Sequence, residues 1–179
     1  MAYSNYIIDY TQIDSPFATE PVNLNEAKLY CRVSNFVDDD QIELMIKQGR
    51  QAVEVGTGLS IINKSVEIWF NNIDGEFELP FGPIVKSSLI LYDDQDKIIT
   101  NYKLVGDKYP KLYYPNRAIL RATYNVGFTT ETLPSDLKIA ILDQVNYDYE
   151  NRGVDVNDKG ICEKTWRACQ RWTRISPIL

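Results

Sequence analysis

The stretch from Glu20 to Gly58, EPVNLNEAKLYCRVSNFVDDDQIELMIKQGRQAVEVGTG, constrains the fold more than any other part of the chain. Asn23 precedes Glu26 at the spacing of a capping box. The Asn side chain can take a free N–H of the first turn while Glu26 reaches back to the cap. Pro21 and Val22 fix the entry, and Leu24, Ala27 and Cys31 share one helical face. Asp38, Asp39 and Asp40 place negative charge at the positive end of a second helix. Ile42, Met45, Ile46, Gly49, Ala52 and Val53 keep helical spacing until Gly56-Thr57-Gly58 stops the run. The pattern predicts a helical hairpin over 20–58.

After Gly58 the period falls from that of a helix to that of a strand. Val66, Ile68 and Phe70 alternate with Glu67, Trp69 and Asn71. Asn71-Asn72 and Asp74-Gly75 carry turn chemistry, after which alternation resumes over 76–79. Pro80-Phe81-Gly82-Pro83 reads as a hard turn into a strand over about 85–92, and Asp93 to Asp96 as another turn. Short strands follow over 97–100 and 102–105. A last strand over 118–126 puts Leu120, Ala122, Tyr124 and Val126 on one face. These segments predict an antiparallel lobe of five to seven strands within 59–130.

Helical grammar returns at Pro134-Ser135-Asp136, with Leu137, Ala140, Ile141, Gln144 and Val145 on one face of a third core helix in 131–152. The segment 153–179 holds a polar link, a last helix over about 161–173 and a tail. On that helix Cys162, Trp166, Cys169 and Trp172 fall near one face, with Arg167, Arg171 and Arg174 beside it. The fold class expected is α+β: a helical bundle of three to four helices with an inserted antiparallel β lobe, forming one domain overall. Residues 1–19 have no clean period. Tyr3, Tyr6, Ile7, Ile8 and Tyr10 are costly to leave in water, so an extended arm is expected to pack on its own domain or on a neighbouring copy.

The function classes open to such a chain are narrowed by what it lacks. Histidine is absent, which closes the Ser-His-Asp and Cys-His nucleophile systems and any His-bearing zinc site. No phosphate-cradling G-x-x-x-x-G-K-[ST] or G-x-G-x-x-G run occurs, and the acidic clusters at 38–40, 93–96 and 155–158 miss the calcium-loop spacing. No catalytic, cofactor or metal residue is therefore assigned. A net charge of −6 argues against a phosphate-gripping basic surface. The three cysteines show no CxxC pair and read as buried reduced thiols of a reducing compartment. With no secretory pattern and no long apolar run, a soluble protein made inside the cell is expected.

Three blocks of the sequence resemble tailed-phage head–tail connector (adaptor) proteins. The first is E-P-V-x-L-x-E-A-K (Glu20, Pro21, Val22, Leu24, Glu26, Ala27, Lys28), followed by Asp39, Asp40, Ile42, Ile46, Arg50, Val53, Glu54, Thr57 and Gly58. The second is Leu79-Pro80-Phe81-Gly82-Pro83-Ile84, then Tyr92-Asp93 and Tyr124-Asn125-Val126-Gly127-Phe128. The third is Leu133-Pro134-Ser135-Asp136-Leu137-Lys138 with Ala140 and Ile141, closing on Tyr149-Glu150-Asn151-Arg152. The resemblance implies a structural virion protein of the neck, made in the host cytoplasm. It implies a homo-oligomeric ring, a dodecamer as a rule, beneath the portal protein, extending the DNA channel and docking the next stopper or tail component. Acidic side chains lining the lumen would let genomic DNA pass without trapping.

From the chemistry of the termini, Trp166, Trp172, Arg174, Ile175, Pro177, Ile178 and Leu179 are the candidate partner interface, since Trp and Arg most often anchor interfaces. Tyr3, Tyr6, Ile7, Ile8 and Tyr10 are the candidate inter-subunit arm. A stopper or tail-completion ring is the alternative of the same class. A carbohydrate- or small-ligand-binding module built on the tyrosine-rich lobe is the alternative of another class.

Overall fold

A computed structural model describes residues 7–15, 18–106, 110–153 and 160–173. Among them the chain is α+β, with four helices and one six-stranded antiparallel sheet. It divides into two compact units. One joins the first strand to Ile62–Phe128, and the other joins Thr19–Ile61 to the chain after Thr129.

The helical unit begins as the capping box predicts. Asn23 Oδ1 accepts from the Glu26 N–H at 2.9 Å, and Glu26 Oε2 accepts from the Asn23 N–H at 3.1 Å. Helix α1 (Leu24–Cys31) ends at Arg32 in the left-handed region, and α2 (Asp39–Thr57) ends at Gly58, also left-handed. Asp38 occupies the N-cap position of α2 but its side chain caps no N–H. The acidic triplet thus supplies charge at the helix start, while its carboxylates are drawn to side-chain partners described below. Helix α3 (Ser135–Glu150) buries Leu137, Ala140, Ile141, Gln144 and Val145.

Helix α4 (Glu163–Trp172) buries Thr165, Ala168 and Cys169, with Cys162 at its N-cap. Trp166 does not share this face as the sequence spacing suggested. The inward line steps from Cys162 to Thr165 and on to Ala168 and Cys169, which leaves Trp166 on the shoulder, 47% exposed. Two glycines of α2 set how closely the helices approach. A Cβ on Gly49 would lie 3.2 Å from the Ile141 carbonyl oxygen, and one on Gly56 would lie 3.0 Å from Cys169 Sγ.

In the other unit, strand β1 (Ile7–Asp14) pairs with β2 (Lys64–Glu78), so part of the expected N-terminal arm is an edge strand of the sheet. The order is β1-β2-β6-β3-β4, with β3 at Ile84–Tyr92, β4 at Ile98–Ile99 and β6 at Lys111–Val126; β5 (Lys103–Val105) also pairs with β6. The turn read at Asn71-Asn72 and Asp74-Gly75 is instead an irregular stretch inside β2, where the register against β6 shifts twice. Simple alternation would send Phe70 and Phe77 to opposite faces. The extra β2 residue between Phe70 and Ile73 restores the parity, so that Val66, Ile68, Phe70, Phe77 and Leu79 all enter one core. The Phe70 and Phe77 rings lie 4.8 Å apart.

Strand β6 starts seven residues earlier than the alternation indicated, at Lys111 rather than Ala118. Leu112 and Tyr114 join Leu120, Ala122, Tyr124 and Val126 in the same core. On the opposite face Arg121 lies over the Tyr92 ring at 4.2 Å and pairs with Glu67 and Asp96, tying the turn after β3 to the sheet. The chain leaves β6 at Gly127, whose N–H donates to the Pro83 carbonyl at 3.0 Å. Its φ is +112°, and a Cβ there would sit 2.1 Å from the Ile62 carbonyl oxygen. Gly127→Ala is therefore expected to destabilise by at least about 2 kcal/mol, through strain added to a backbone clash. Chemical denaturation of the variant measures it, and a midpoint equal to that of the parent chain would contradict the geometry.

Candidate functional site

The side chains that carry the sequence resemblance turn inward, onto one another. Arg50, on α2, has a side chain only 5% exposed. Its Nε donates to both oxygens of Glu20, at 2.9 and 3.2 Å, and Nη1 donates to Glu54 Oε2 at 2.8 Å. The other Glu54 oxygen accepts from the Ile61 N–H at 2.8 Å, which fixes the chain just after Gly58. Thr57 Oγ1 donates to the Val53 carbonyl at 2.7 Å and accepts from the Leu59 N–H at 3.2 Å. Thus Glu20, Arg50, Glu54 and Thr57 form one closed arrangement around the end of α2.

Other charges of these blocks are paired in the same way, while Asp40 is exposed. Lys28 Nζ meets Asp39 at 2.5 Å and lies 4.4 Å from the centre of the Phe36 ring. Glu26 meets Lys138 at 2.7 Å, joining the first block to the third. Asp38 accepts from the Tyr149 hydroxyl at 2.8 Å and pairs with Arg152 at 3.2 Å. Arg152 stacks on the Tyr149 ring at 3.9 Å. These carboxylates and cations are committed to holding helices together. Among the described residues no group of three or more His, Cys, Asp or Glu side chains is arranged to hold a metal ion.

Two thiols are sealed in as well. Cys162 and Cys169 are buried, and burial pushes the Cys169 thiol up to about 11. The hydroxyl of Tyr30 donates to Asp143 at 2.7 Å, and this bond pushes its ionisation up to about 12. The polar seam between α3 and α4 is equally occupied. Gln144 accepts from the Cys162 N–H at 2.9 Å, Thr165 donates to the Ala140 carbonyl at 2.8 Å, and Trp172 Nε1 donates to Asp136 at 2.6 Å.

What the fold offers a partner is therefore surface. Of the candidate partner interface, Trp166 is exposed, whereas Trp172 is half-buried and anchored by Asp136. Arg174, Ile175, Pro177, Ile178 and Leu179 lie outside the described residues. Of the candidate arm, Tyr3 and Tyr6 lie outside them too. Ile7 and Tyr10 are exposed on β1, Ile8 falls within the same strand, and the Tyr10 ring sits 5.1 Å from that of Phe81. On the β unit a cavity of about 440 Å³ is lined by Tyr102, Tyr113, Tyr114, Pro115, Lys103 and Asn101.

Sequence reasoning missed a further exposed group. Phe36 is 81% exposed and Val37 is 89% exposed in the link between α1 and α2, and Leu29 and Leu44 on the flanking helices are exposed as well. The signal was an apolar pair in a link that ordinary turn chemistry would make polar.

No protein-family model matches the sequence, and no curated protein matches it significantly. Solved structures do resemble it. One is a chain from the neck of an empty gene transfer agent particle computed with C6 symmetry. It is 17% identical, covers 94% of this chain and 96% of its own, and has a TM-score of 0.73. Another, from the neck of the native particle computed with C12 symmetry, is 16% identical over the same shares with a TM-score of 0.68. A third, from the virion of the native gene transfer agent, is 18% identical, covering 89% of this chain and 96% of its own at a TM-score of 0.67. At these identities the likeness is one of fold, and it extends through both units.

Removing the Arg50 charge leaves two carboxylates in a largely dry site. Arg50→Met is expected to cost about 3–5 kcal/mol, and Arg50→Lys to recover only part, because an ammonium cannot reproduce the guanidinium fork. Equilibrium urea unfolding decides it; a neutral effect would show the cluster to be incidental. The Glu26 carboxyl is held below its ordinary range by Lys138 and by the Asn23 N–H. Its contribution is therefore present above the ordinary carboxylate value and lost as pH falls through the depressed folded value. Glu26→Gln should lose less stability than the parent between neutral pH and about pH 3. Equal losses, read from denaturation midpoints, would contradict this.

Proposed function

We propose that this chain is a structural protein of a phage-like virion neck: an adaptor that assembles as a homo-oligomeric ring under the portal protein. It extends the DNA channel there and receives the next neck or tail component. The observation that carries this reading is that fold likeness to neck chains spans nearly the whole molecule, both units included. The three sequence blocks that resemble connector proteins add support of a different kind. Their charged residues interlock in the helical unit, as expected if they specify a shared fold rather than a reaction centre.

The reading assigns work to surfaces. Trp172, with Arg174, Ile175, Pro177, Ile178 and Leu179 beyond it, docks onto the portal or the next component, and the exposed Trp166 beside them faces a partner. The strand bearing Ile7, Ile8 and Tyr10, with Tyr3 and Tyr6 ahead of it, meets the neighbouring subunit. An edge strand suits that role because the N–H and C=O groups of its outer edge can extend a ladder into another chain. The channel wall carries net negative charge, so that DNA slides past. The role is geometric, and a heterologous contact repeated about an axis closes the ring.

A second reading, a small-ligand module, is favoured by one observation, the tyrosine-lined cavity of the β unit. A thermal-shift screen separates the two, since a ligand selective for the native state raises its melting temperature.

The direct test of the adaptor reading is co-sedimentation with the portal protein of the same particle. The full chain is expected to bind. A chain ending at Thr173 is expected to lose at least about tenfold in affinity, the scale of losing one interface anchor. Absence of portal binding by the full chain would refute the adaptor role, and undiminished binding by the altered chain would refute the docking assignment.

A further inference from the structure

Apolar exposure and charge unpaired among the described residues coincide at two places in the helical unit. At the start of α2, Phe36 and Val37 stand in solvent with Leu44 nearby in sequence, and Asp40 and Glu43 are exposed on the same turns. Asp38 and Asp39 are consumed by Arg152 and Lys28, but Asp40 and Glu43 have no ion-pair partner among the described residues. Helix α4 presents the complement. Its outward residues include Trp166, Arg167 and Arg171, on a chain whose net charge is −6. Arg171 has no acidic partner among the described residues. Arg167 pairs only with Glu163 at the surface, a contact of little strength that a better partner can replace.

The two surfaces cannot satisfy each other within one molecule. Helix α4 lies along the Asp136–Gln144 half of α3 and packs on Gly56, near the end of α2. The acidic knuckle lies at the opposite end, where Asp38 meets Tyr149 and Arg152. From Asp40 to Gly56 the helix rises about 24 Å, at about 1.5 Å per residue. Two complementary patches at separate places on one subunit suit head-to-tail assembly.

We propose that the Phe36–Val37 knuckle of one copy, with Asp40 and Glu43, seats against the Trp166–Arg167–Arg171 face of α4 on the next copy. The proposal rests on the ring reading and supplies it with a main contact. The apolar groups of both patches are covered together, and each free charge meets its opposite. A second copy fits better than a nucleic acid, because DNA on α4 would leave the apolar knuckle and its carboxylates without a partner. In this arrangement Trp166 serves the copy–copy contact, and docking to the portal falls to Trp172 and the residues after it.

The test uses charge exchange in the full chain, followed by sedimentation velocity. Asp40→Lys with Glu43→Lys makes one variant, and Arg167→Glu with Arg171→Glu makes the other; all four positions are exposed, and circular dichroism checks that both variants fold. Each variant alone is expected to associate at least about tenfold more weakly than the parent chain, and a mixture of the two to recover association. Val37→Asp in the parent background should weaken it as well.

Parent-like association of both charge variants, or a mixture no stronger than its parts, overturns the proposal. So does a parent chain that stays monomeric at every concentration it tolerates. A change in DNA retention by the α4 variant with association untouched would also overturn it, and would assign the helix to nucleic acid. Portal co-sedimentation separates this from the neck reading. A chain that assembles with the expected charge pattern yet never binds the portal refutes the neck role and leaves the interface standing.

Discussion

Arg50 brings a permanent positive charge into a place where its side chain scarcely meets water, and the helical unit is arranged to answer it. A guanidinium so enclosed is tolerable only if every face finds an acceptor, since removing one partner of such a cluster costs far more than the cluster contributes net. Glu20 comes from before α1, Glu54 from one turn further along α2, and Glu54 in turn grips the chain leaving the helix at Ile61. The cluster therefore fixes where the segment enters and where it departs. Those are the points from which a whole β unit must leave and return before α3 can pack. Glu26–Lys138 and Asp38–Arg152 repeat the device at the return, binding the first helices to a third that lies more than a hundred positions later.

This arrangement explains which parts of the fold the sequence could reveal. Local grammar was legible because its causes are local: Asn23 and Glu26 cap α1 within three residues, and Gly58 ends α2 by a conformation that glycine adopts freely. Tyr124 and its neighbours alternate because one face of β6 is core. What stayed hidden depends on partners far away in sequence. Nothing near Arg50 announces Glu20, and the Asn-Asn and Asp-Gly pairs of β2 look like turns until β6 is laid beside them and shows one strand whose register shifts there. The early part of β6 depends on β2 in the same way: Pro115 falls where the ladder to β2 changes register between Tyr114 and Ala118, a place where a missing N–H is tolerated.

The candidate site was less legible than the fold. Trp166 and Trp172 are alike in residue type, yet Trp166 stands exposed while Trp172 is tied down by Asp136. Phe36 and Val37 lie in the link beside an acidic triplet, and nothing in their local pattern beyond the apolar pair itself marks them as exposed. Chemistry that a sequence pattern makes conspicuous was, in this chain, mostly structural. Among the groups left free to meet a partner are exposed apolar side chains, the carboxylates of Asp40 and Glu43 on α2 and Arg171 on α4.

Cryo-electron microscopy of the particles from which the chain derives, with the axial neck density resolved to side chains, tests the central claim most directly. A ring of copies of this chain in contact with the portal, its channel lined by acidic groups, is the result expected. Neck density built from other chains, with this one absent from the particle, would contradict it.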